Sequence, residues 1–245
     1  MDSGFYATCT GLLAKADALE LTANNMANLN TTGYKGQIEF YRALEASTGN
    51  RRLSSLNKAV NDYGVLGGTA LDLKNGVLEK TGNELDLALQ GQGFFTVKTP
   101  AGIRYTRNGS FHIDSDGKLL TATGDQVLGD QGPVELPSGD VDISSDGTIS
   151  QHGAVIATLK LLDFKPGTTL APEGNSYFQA PAKTEVPAAD PRLSQGMLET
   201  SNQNPITGAV SLITLQRQSQ LLEQALSIFH SVFNAAPAQD LSKVS

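Results

Sequence analysis

The chain has 245 residues, 39% hydrophobic and 18% charged, with a net charge of −7. That length suffices for one or two domains with a sizeable core. The acidic balance argues against a nucleic-acid-binding protein, which needs a basic face. The single cysteine, Cys9, excludes an internal disulfide framework. Because no run of about 18 apolar residues occurs, the sequence predicts no transmembrane helix and no direct insertion into a membrane.

The N-terminal stretch predicts an amphipathic helix. Its apolar residues recur at alternating heptad spacings, the pattern of helices that pack along their length: Phe5, Cys9, Leu12, Ala16, Leu19, Ala23 and Met26. Gly33 is the candidate residue for ending this helix. Asp2 stands where a secretory signal peptide would have a basic residue, so no cleaved signal is expected. The sequence therefore predicts a cytoplasmic protein or one exported without cleavage.

The C-terminal stretch carries a matching heptad pattern. Its members are Leu212, Leu215, Ser219, Leu222, Leu226, Phe229, Phe233 and Ala236. The same stripe is expected to be widened on one side by Ile213, Leu221, Ala225, Ile228 and Val232. Pro205 suits the first turn of a helix, and Pro237 marks its predicted end. Both ends of the chain are therefore predicted to be long helices.

The middle of the chain indicates β structure. Short apolar or alternating runs, such as FFTVK at 94–98, are separated by turn signals such as Asn108–Gly109 and Asp146–Gly147. Short strands with such turns predict an antiparallel sandwich or barrel-like domain. The predicted fold class is α+β, with N- and C-terminal helices paired as a coiled-coil-like domain and a central antiparallel all-β domain.

The predicted domain bounds follow these changes of pattern. Residues 1–41 form the N-terminal helix of an inner helical domain, residues 42–199 form the β domain with its linkers, and residues 200–245 form the C-terminal helix.

Motifs that could carry chemistry are weak. GQG at 91–93 resembles the start of a phosphate-binding loop, but a β-like run follows where a helix should begin, so a turn between strands is favoured. The turn at 114–117 lacks the third ligand and the glutamate of a calcium loop. The histidines His112, His152 and His230 have no metal-binding spacing. We expect no enzyme, no catalytic residue, no cofactor and no metal.

Two rival classes stay open from the residues alone. One is a secreted β-rich binding or adhesin-like protein, which the absence of tryptophan disfavours because such proteins present aromatic platforms. The other is a hydrolase that uses Asp114 with Asp116 or Asp140 with Asp142. That hydrolase would need two carboxyl groups with different pKa values in one cleft.

Three segments carry a family resemblance. ANNMANLNTTGYK at 23–35 resembles the N-terminal signature of the bacterial flagellar axial proteins, the rod and hook family. LALQGQGFFTVKTPAGIRYTRNGSFHIDSDGKLLTATGDQVLG at 87–129 resembles that family's central block. GMLETSNQNPITGAVSLITLQRQ at 196–218 resembles its C-terminal signature. The segments stand in the family's order, and from the first to the last they extend over residues 23–218.

Within the family, the chain is most similar to the FlgF-type proximal rod proteins. The length, the single modest β domain and SNQNP at 201–205 carry this likeness. The FlgG-type distal rod proteins come next, and a hook-type subunit usually has more outer domain. One departure follows Arg217, where the family usually has an aromatic residue and then an acid, and this chain has Ser219 and Gln220.

The resemblance implies a structural protein of the flagellar basal body. Its subunits would assemble helically, with copies of themselves and other rod subunits, into the drive shaft that transmits motor torque across the periplasm. The resemblance also implies export through the flagellar type III apparatus without a cleaved signal peptide.

The asparagine-rich end of the first signature is the candidate assembly interface. On a helical period Asn24 and Asn28 share a face, with Asn25 beside them. Uncharged amides can hydrogen-bond at a crowded junction without the cost of burying charge. We therefore expect these three amides to face other helices, of the same chain or a neighbour. The full set of interface candidates is Phe5, Leu12, Leu19, Asn24, Asn25, Met26, Asn28, Asn30, Gly33, Tyr34, Lys35, Ser201, Asn202, Asn204, Leu212, Leu215, Leu222, Leu226, Phe229 and Phe233.

Overall fold

A computed structural model of the chain describes residues 2–42, 65–137, 139–174 and 176–240. Over these ranges α1 spans Asp2–Ala27 and α2 spans Pro205–Asp240. The strands between the helices, β1 to β19 in chain order, are Gln37–Arg42, Val65–Leu71, Leu78–Lys80, Leu87–Gln90, Phe94–Thr99, Gly102–Thr106, Phe111–Ile113, Leu119–Thr121, Gln126–Gly129, Gly132–Pro133, Asp142–Ile143, Thr148–Gln151, Ala154–Thr158, Leu161–Phe164, Ala171–Glu173, Tyr177–Gln179, Glu185–Pro187, Arg192–Gln195 and Met197–Glu199. The predicted α+β class, with a helix at each end and antiparallel β structure between them, is confirmed.

The chain divides into two compact units. The helical unit consists of Met1–Ala27, Gln37–Ala70 and Asn204–Ser245, and the β unit consists of Asn28–Gly36 and Leu71–Gln203. The predicted bounds of 1–41, 42–199 and 200–245 stay a prediction about domains. The compact units differ from them, because residues 28–36 group with the β unit.

The helical unit contains α1 and α2 packed against each other. A methyl group built on Gly11 would lie 3.8 Å from Leu222 Cδ1, and one built on Gly208 would lie 3.0 Å from Met26 Cγ. The start of α1 therefore meets the middle of α2, while the end of α1 meets the start of α2, so the two helices run antiparallel. Strands β1 and β2 form a two-stranded sheet in the same unit.

Both helix ends differ from the predicted ones. Helix α1 ends at Ala27, well before Gly33, because the backbone and side chain of Asn28 bond Thr31 in a turn that competes with the helix. Helix α2 continues past Pro237 to Asp240. A proline in the last turn removes one backbone hydrogen bond without having to end the helix there. No helix among the described residues is long and apolar enough to cross a membrane.

The β unit is built on a ten-stranded antiparallel sheet. Its main path runs β15-β16-β6-β5-β9-β8-β7, with β10, β14 and β17 joined to it, and smaller sheets pair β11-β12-β13, β18-β4 and β19-β3. In β5 the residues Phe94, Phe95, Thr96 and Val97 are all buried, so both faces of this strand are covered. The main core packs on one side of it, with Phe95 edge-on to Phe111 at 5.2 Å between ring centroids.

Two predicted turns lie where the sequence placed them. Gly91, with φ of 87°, lies between β4 and β5, as the turn interpretation of GQG requires. Asp114 Oδ1 accepts hydrogen bonds from the backbone nitrogens of Asp116 and Lys118, at 2.9 and 2.8 Å, inside the β7–β8 hairpin. The carboxylate is thereby occupied by the turn. Among the described residues no group of three or more His, Cys, Asp or Glu could hold a metal ion.

Candidate functional site

A cluster of three charged residues lies buried in the β unit, and each member comes from a different one of the three signature segments. We call Lys35, Arg107 and Glu199 the charge cluster. Lys35 Nζ donates to Glu199 Oε1 at 2.7 Å, and Arg107 Nη1 donates to Glu199 Oε2 at 3.3 Å. The side chains of Lys35 and Glu199 are 1% and 0% exposed. Residues distant in the sequence are thus joined by one carboxylate.

Backbone groups complete the surroundings of Lys35 and Glu199. Lys35 Nζ also donates to the carbonyl oxygen of Lys74 at 2.8 Å, and the backbone nitrogen of Gly76 donates to Glu199 Oε1 at 2.7 Å. The segment that links β2 to β3 therefore contacts the charge cluster through its peptide groups, with the carbonyl of Lys74 on Lys35 and the nitrogen of Gly76 on Glu199. Such bonds are what a buried charge needs, because burial without partners costs several kcal/mol.

Arg107 is held by β4 and the turn after it. Its Nη1 donates to the carbonyl oxygen of Leu89 at 3.0 Å and its Nη2 to that of Gly91 at 2.5 Å. The guanidinium carbon lies 5.2 Å from the centroid of the Phe94 ring, a cation–π arrangement. Nε of Arg107 is buried without a hydrogen-bond partner. The GQG turn thus supplies a carbonyl to a buried arginine instead of a phosphate site.

Burial and the carboxylate of Glu199 shift the pKa values of Lys35 and Arg107 in opposite directions. Burial lowers the pKa of Lys35, and the hydrogen bond and charge of Glu199 partly raise it again. Burial likewise lowers the pKa of Arg107, opposed by the charge of Glu199 and the hydrogen bond to it. Glu199 therefore stabilises the charged forms of the two buried cations. The cluster holds together three segments that are distant in the sequence.

Hydrogen bonds from backbone nitrogens also join the region of the N-terminal signature to the C-terminal signature. The nitrogen of Gly33 donates to the carbonyl oxygen of Glu199 at 2.7 Å, and the nitrogen of Gly36 donates to Asn202 Oδ1 at 2.9 Å. Asn202 Nδ2 donates to the carbonyl oxygen of Asp72 at 2.7 Å. Gly33 has φ of 66°, and a methyl group on it would lie 2.3 Å from the nitrogen of Asn108. Glycine is required at this position by both its conformation and the close approach.

Asn25 and Asn28 make hydrogen bonds within the chain, and whether the three asparagines also face other helices stays a prediction. Asn25 Nδ2 donates to the carbonyl oxygen of Gln37 at 2.8 Å, and Asn25 Oδ1 accepts from the nitrogen of Gln37 at 3.0 Å. The amide thus pairs with the first residue of β1 as a neighbouring strand would. Asn28 lies beyond the end of α1, where its Oδ1 accepts from Thr31 Oγ1 at 3.1 Å and its side chain bonds Tyr34.

The remaining candidates of the first signature and of SNQNP fall into two units. In the β unit Tyr34 is half-buried, Asn30 is exposed, and buried Ser201 accepts from the nitrogen of Gln203 at 3.3 Å. In the helical unit Asn204 caps α2, since its Oδ1 accepts from the nitrogens of Ile206 and Thr207 at 2.9 and 3.3 Å. Whether these residues contact other subunits stays a prediction.

The heptad residues are only partly on the packed faces of the helices. Leu12, Leu19 and Met26 are half-buried, whereas Ala16 and Ala23 are exposed. Over residues 8–27, the part of α1 whose side chains are described, the fully buried residue is Ala18. On α2 the half-buried members are Leu212, Leu215, Leu222 and Leu226. Ile213, Leu221 and Ile228 are exposed, so the expectation that they widen the same stripe is wrong. The side chains of Phe5, Phe229 and Phe233 lie outside the described part of the structure.

Sequence reasoning missed Arg107 and Glu199 as site residues. Both lie inside the signature segments, in RYTRNGSF and GMLETSN, and within the predicted β domain of 42–199. That placement was the available signal. It identifies no partner, because the distance along the chain from Lys35 to Glu199 hides the pairing.

The chain matches known families and relatives along its length. The family described as "Flagella basal body rod protein" matches residues 5–35, and the family described as "Flagellar hook protein FlgE/F/G D1 domain" matches residues 88–156. The chain is 34% identical to the flagellar basal-body rod protein FlgF of Caulobacter vibrioides, over 89% of each chain. This chain belongs to the flagellar basal-body rod proteins.

Two further rod proteins are similar over most of their length. The FlgF rod protein of Escherichia coli is 29% identical over 100% of both chains. The FlgG rod protein of Buchnera aphidicola is 30% identical over 89% of this chain and 92% of its own. The resemblance to the flagellar axial family is confirmed, and with it a structural role in the flagellar basal body rather than an enzymatic one.

Proposed function

We propose that this rod protein is a subunit of the proximal rod and assembles helically through its terminal helices, with copies of itself and with other rod subunits. The observation that carries the proposal is the helical unit. Its two helices pack antiparallel, and α2 still turns large apolar side chains outward. Such a row of exposed apolar side chains is typical of an interface, because apolar side chains exposed singly are common but grouped ones mark interaction sites. The proximal position is supported by the similarity to FlgF rod proteins.

The assembled helices would form the inner layer of a drive shaft that transmits motor torque. Packing of α1 on α2 in the manner of a coiled coil is part of this proposal, since the heptad spacing favours it. Torque requires that each subunit resist twisting. The charge cluster contributes to this resistance, because Glu199 binds both Lys35, which follows α1 in the sequence, and Arg107 in the middle of the β unit.

Ordering of the terminal helices would be coupled to assembly. An isolated helix is marginal in water, and most of its stability in a protein comes from packing one face. Neighbouring subunits would bury the faces that the single chain leaves exposed. Assembly would then depend on neighbours already in place, which discourages it before export. The chain would be exported through the flagellar type III apparatus without a cleaved signal. It would then join a rod that spans the periplasm.

The test is to locate the chain in isolated basal bodies. The gene is deleted and complemented with a tagged copy, and the purified basal bodies are reconstructed by cryo-electron microscopy. We expect loss of motility on deletion and density for this chain in the rod, with its helices in the inner layer. Purified basal bodies that lack the chain would overturn the proposal.

A further inference from the structure

Helix α2 has two opposite apolar faces. The half-buried face carries Leu212, Leu215, Leu222 and Leu226, and Leu222 contacts α1 at Gly11. On a 3.6-residue period a second set lies on the other side of the helix. We call it the outward stripe, and its members, each more than half exposed, are Ile206, Val210, Ile213, Leu221 and Ile228. The stripe runs for about 33 Å along the helix at a rise of about 1.5 Å per residue.

A single cation interrupts this apolar surface. Arg217 falls on the outward stripe between Ile213 and Leu221 and is exposed. Among the described residues no salt bridge involves it. An arginine in the middle of an apolar stripe needs a carboxylate from whatever covers the stripe, because burying it unpaired would be costly.

Helix α1 has an outward face with the complementary charge. Leu13 is 68% exposed, and Asp17 and Glu20 lie on the same side of the helix within the next two turns, both exposed. The face therefore offers one large apolar side chain followed by two carboxylates. Among the described residues neither carboxylate is in a salt bridge.

We propose that the outward stripe of α2 in one copy of the chain packs against the outward face of α1 in a second copy, with Arg217 between Asp17 and Glu20. This inference rests on the proposed self-assembly through the terminal helices and specifies which faces meet. The heptad residues of α2 then hold the helix pair together within a chain, and the outward stripe joins one chain to the next.

The two surfaces are different, so the contact is head-to-tail. A contact of that kind leaves an unused α2 face at one end of any assembly and an unused α1 face at the other. It therefore propagates into a helix or ring instead of closing as a dimer. The acidic face of α1 also argues against an anionic membrane surface as the partner of these helices.

Charge reversal tests the contact in the full-length chain. Arg217→Glu is expected to lower the amount of chain in purified basal bodies about tenfold, and so is the double variant Asp17→Lys with Glu20→Lys. The three changes together should restore at least half of the original amount, because each charge again faces its opposite. The control is Gln218→Glu, next to Arg217 but off the stripe, which should leave the amount unchanged. Circular dichroism of each purified variant checks that the helices still form.

An apolar pair of variants tests the stripe without changing charge. Ile213 on the stripe and Ile103 on the β unit are both 51% exposed. Ile213→Ser should reduce incorporation severalfold, whereas Ile103→Ser should not. Normal incorporation of Arg217→Glu, or failure of the three combined changes to restore it, would overturn the inference. Those results leave the proposed function standing, since it fails only if the unmodified chain is absent from basal bodies.

Discussion

Glu199 is the residue on which most of the signature contacts converge. Its carboxylate accepts hydrogen bonds from Lys35, Gly76 and Arg107, and its carbonyl oxygen accepts one from Gly33. Two cations share this one carboxylate in a buried site. The lysine that ends the first signature, Lys35, is buried within its own chain, and these contacts account for its burial.

Glu199→Gln should strongly destabilise the β unit. The glutamine keeps the shape but removes the charge that offsets Lys35 and Arg107, and breaking a buried ion pair costs about 3–5 kcal/mol. Urea denaturation followed by fluorescence of the tyrosines measures the change. The matched control is Asp190→Asn, which breaks the exposed pair with Arg192 and should cost less than about 1 kcal/mol. Equal effects of the two variants would show that the charge cluster does not stabilise the fold.

We expect the β unit to lose stability at high pH, because the phenol of Tyr105 is buried. Burial, followed by the hydrogen bond to Glu185, raises the pKa of the Tyr105 phenol above the usual value of about 10. A raised folded pKa means that this stabilisation is complete below pH of about 10 and is lost as the pH rises towards the folded value. Lys35 acts oppositely there, because its folded pKa is lowered.

A spectrophotometric titration separates these groups. Phenolate absorbance should show tyrosines that ionise late, since burial also raises the pKa of Tyr34 and Tyr177. Tyr105→Phe should remove one of the groups that ionise late. The free energy of unfolding of this variant should then fall less as the pH rises. If the late absorbance step is unchanged in Tyr105→Phe, the phenol does not have the raised pKa.

At the scale of elements, side-chain amides complete the hydrogen bonding of irregular backbone. Asn25 does so for Gln37, Asn202 for Gly36 and Asp72, and Gln195 for Ile143 and Val141. An amide offers a donor and an acceptor in the geometry of a peptide group. This accounts for the polar residues at the ends of α1 and α2, where helix gives way to strand or loop and peptide groups lose their partners.

Gly208 tests the helix pair. Gly208→Val should destabilise the helical unit by about 1–3 kcal/mol, because a side chain there would overlap Met26. Gly11→Ala is the control, since a methyl group at Gly11 makes an ordinary contact with Leu222 and alanine favours helix by about 1 kcal/mol over glycine. Thermal melting of the helical circular dichroism signal measures both. A Gly208→Val chain that melts like the unmodified one would mean that α1 and α2 do not pack closely at this point.

At the scale of the whole molecule, the two units should differ in resistance to proteolysis. The helices of a free monomer have one half-buried face each, whereas the β unit has an extensive buried core. Limited proteolysis of purified monomer should therefore cut within α1 and α2 first. The stable fragment should retain both Lys35 and Glu199, so a fragment trimmed to 42–199 should be less stable than a longer one. Resistant termini in a monodisperse monomer would contradict the coupling of helix order to assembly.

The sequence by itself was enough for the family, the α+β class and the turns. Heptad spacing, Asn-Gly and Asp-Gly steps and the three signatures are local patterns, and local patterns report which element a segment forms. They also identified Pro205 as the start of α2, where Asn204 supplies the cap. The same patterns led to an error at Asn28, because its turn with Thr31 ends α1 earlier than periodicity suggests.

Only the tertiary structure decided which faces and which charges work together. Helical periodicity separates Ile213 and Leu221 from the heptad residues of α2, but it does not show which of the two faces is covered. That depends on the neighbouring helix, and α1 covers the heptad face. Nor does the sequence show that Lys35, Arg107 and Glu199 meet. Their pairing arises when the chain closes the β unit, and a contact between residues so far apart is set by the fold as a whole and by no local pattern.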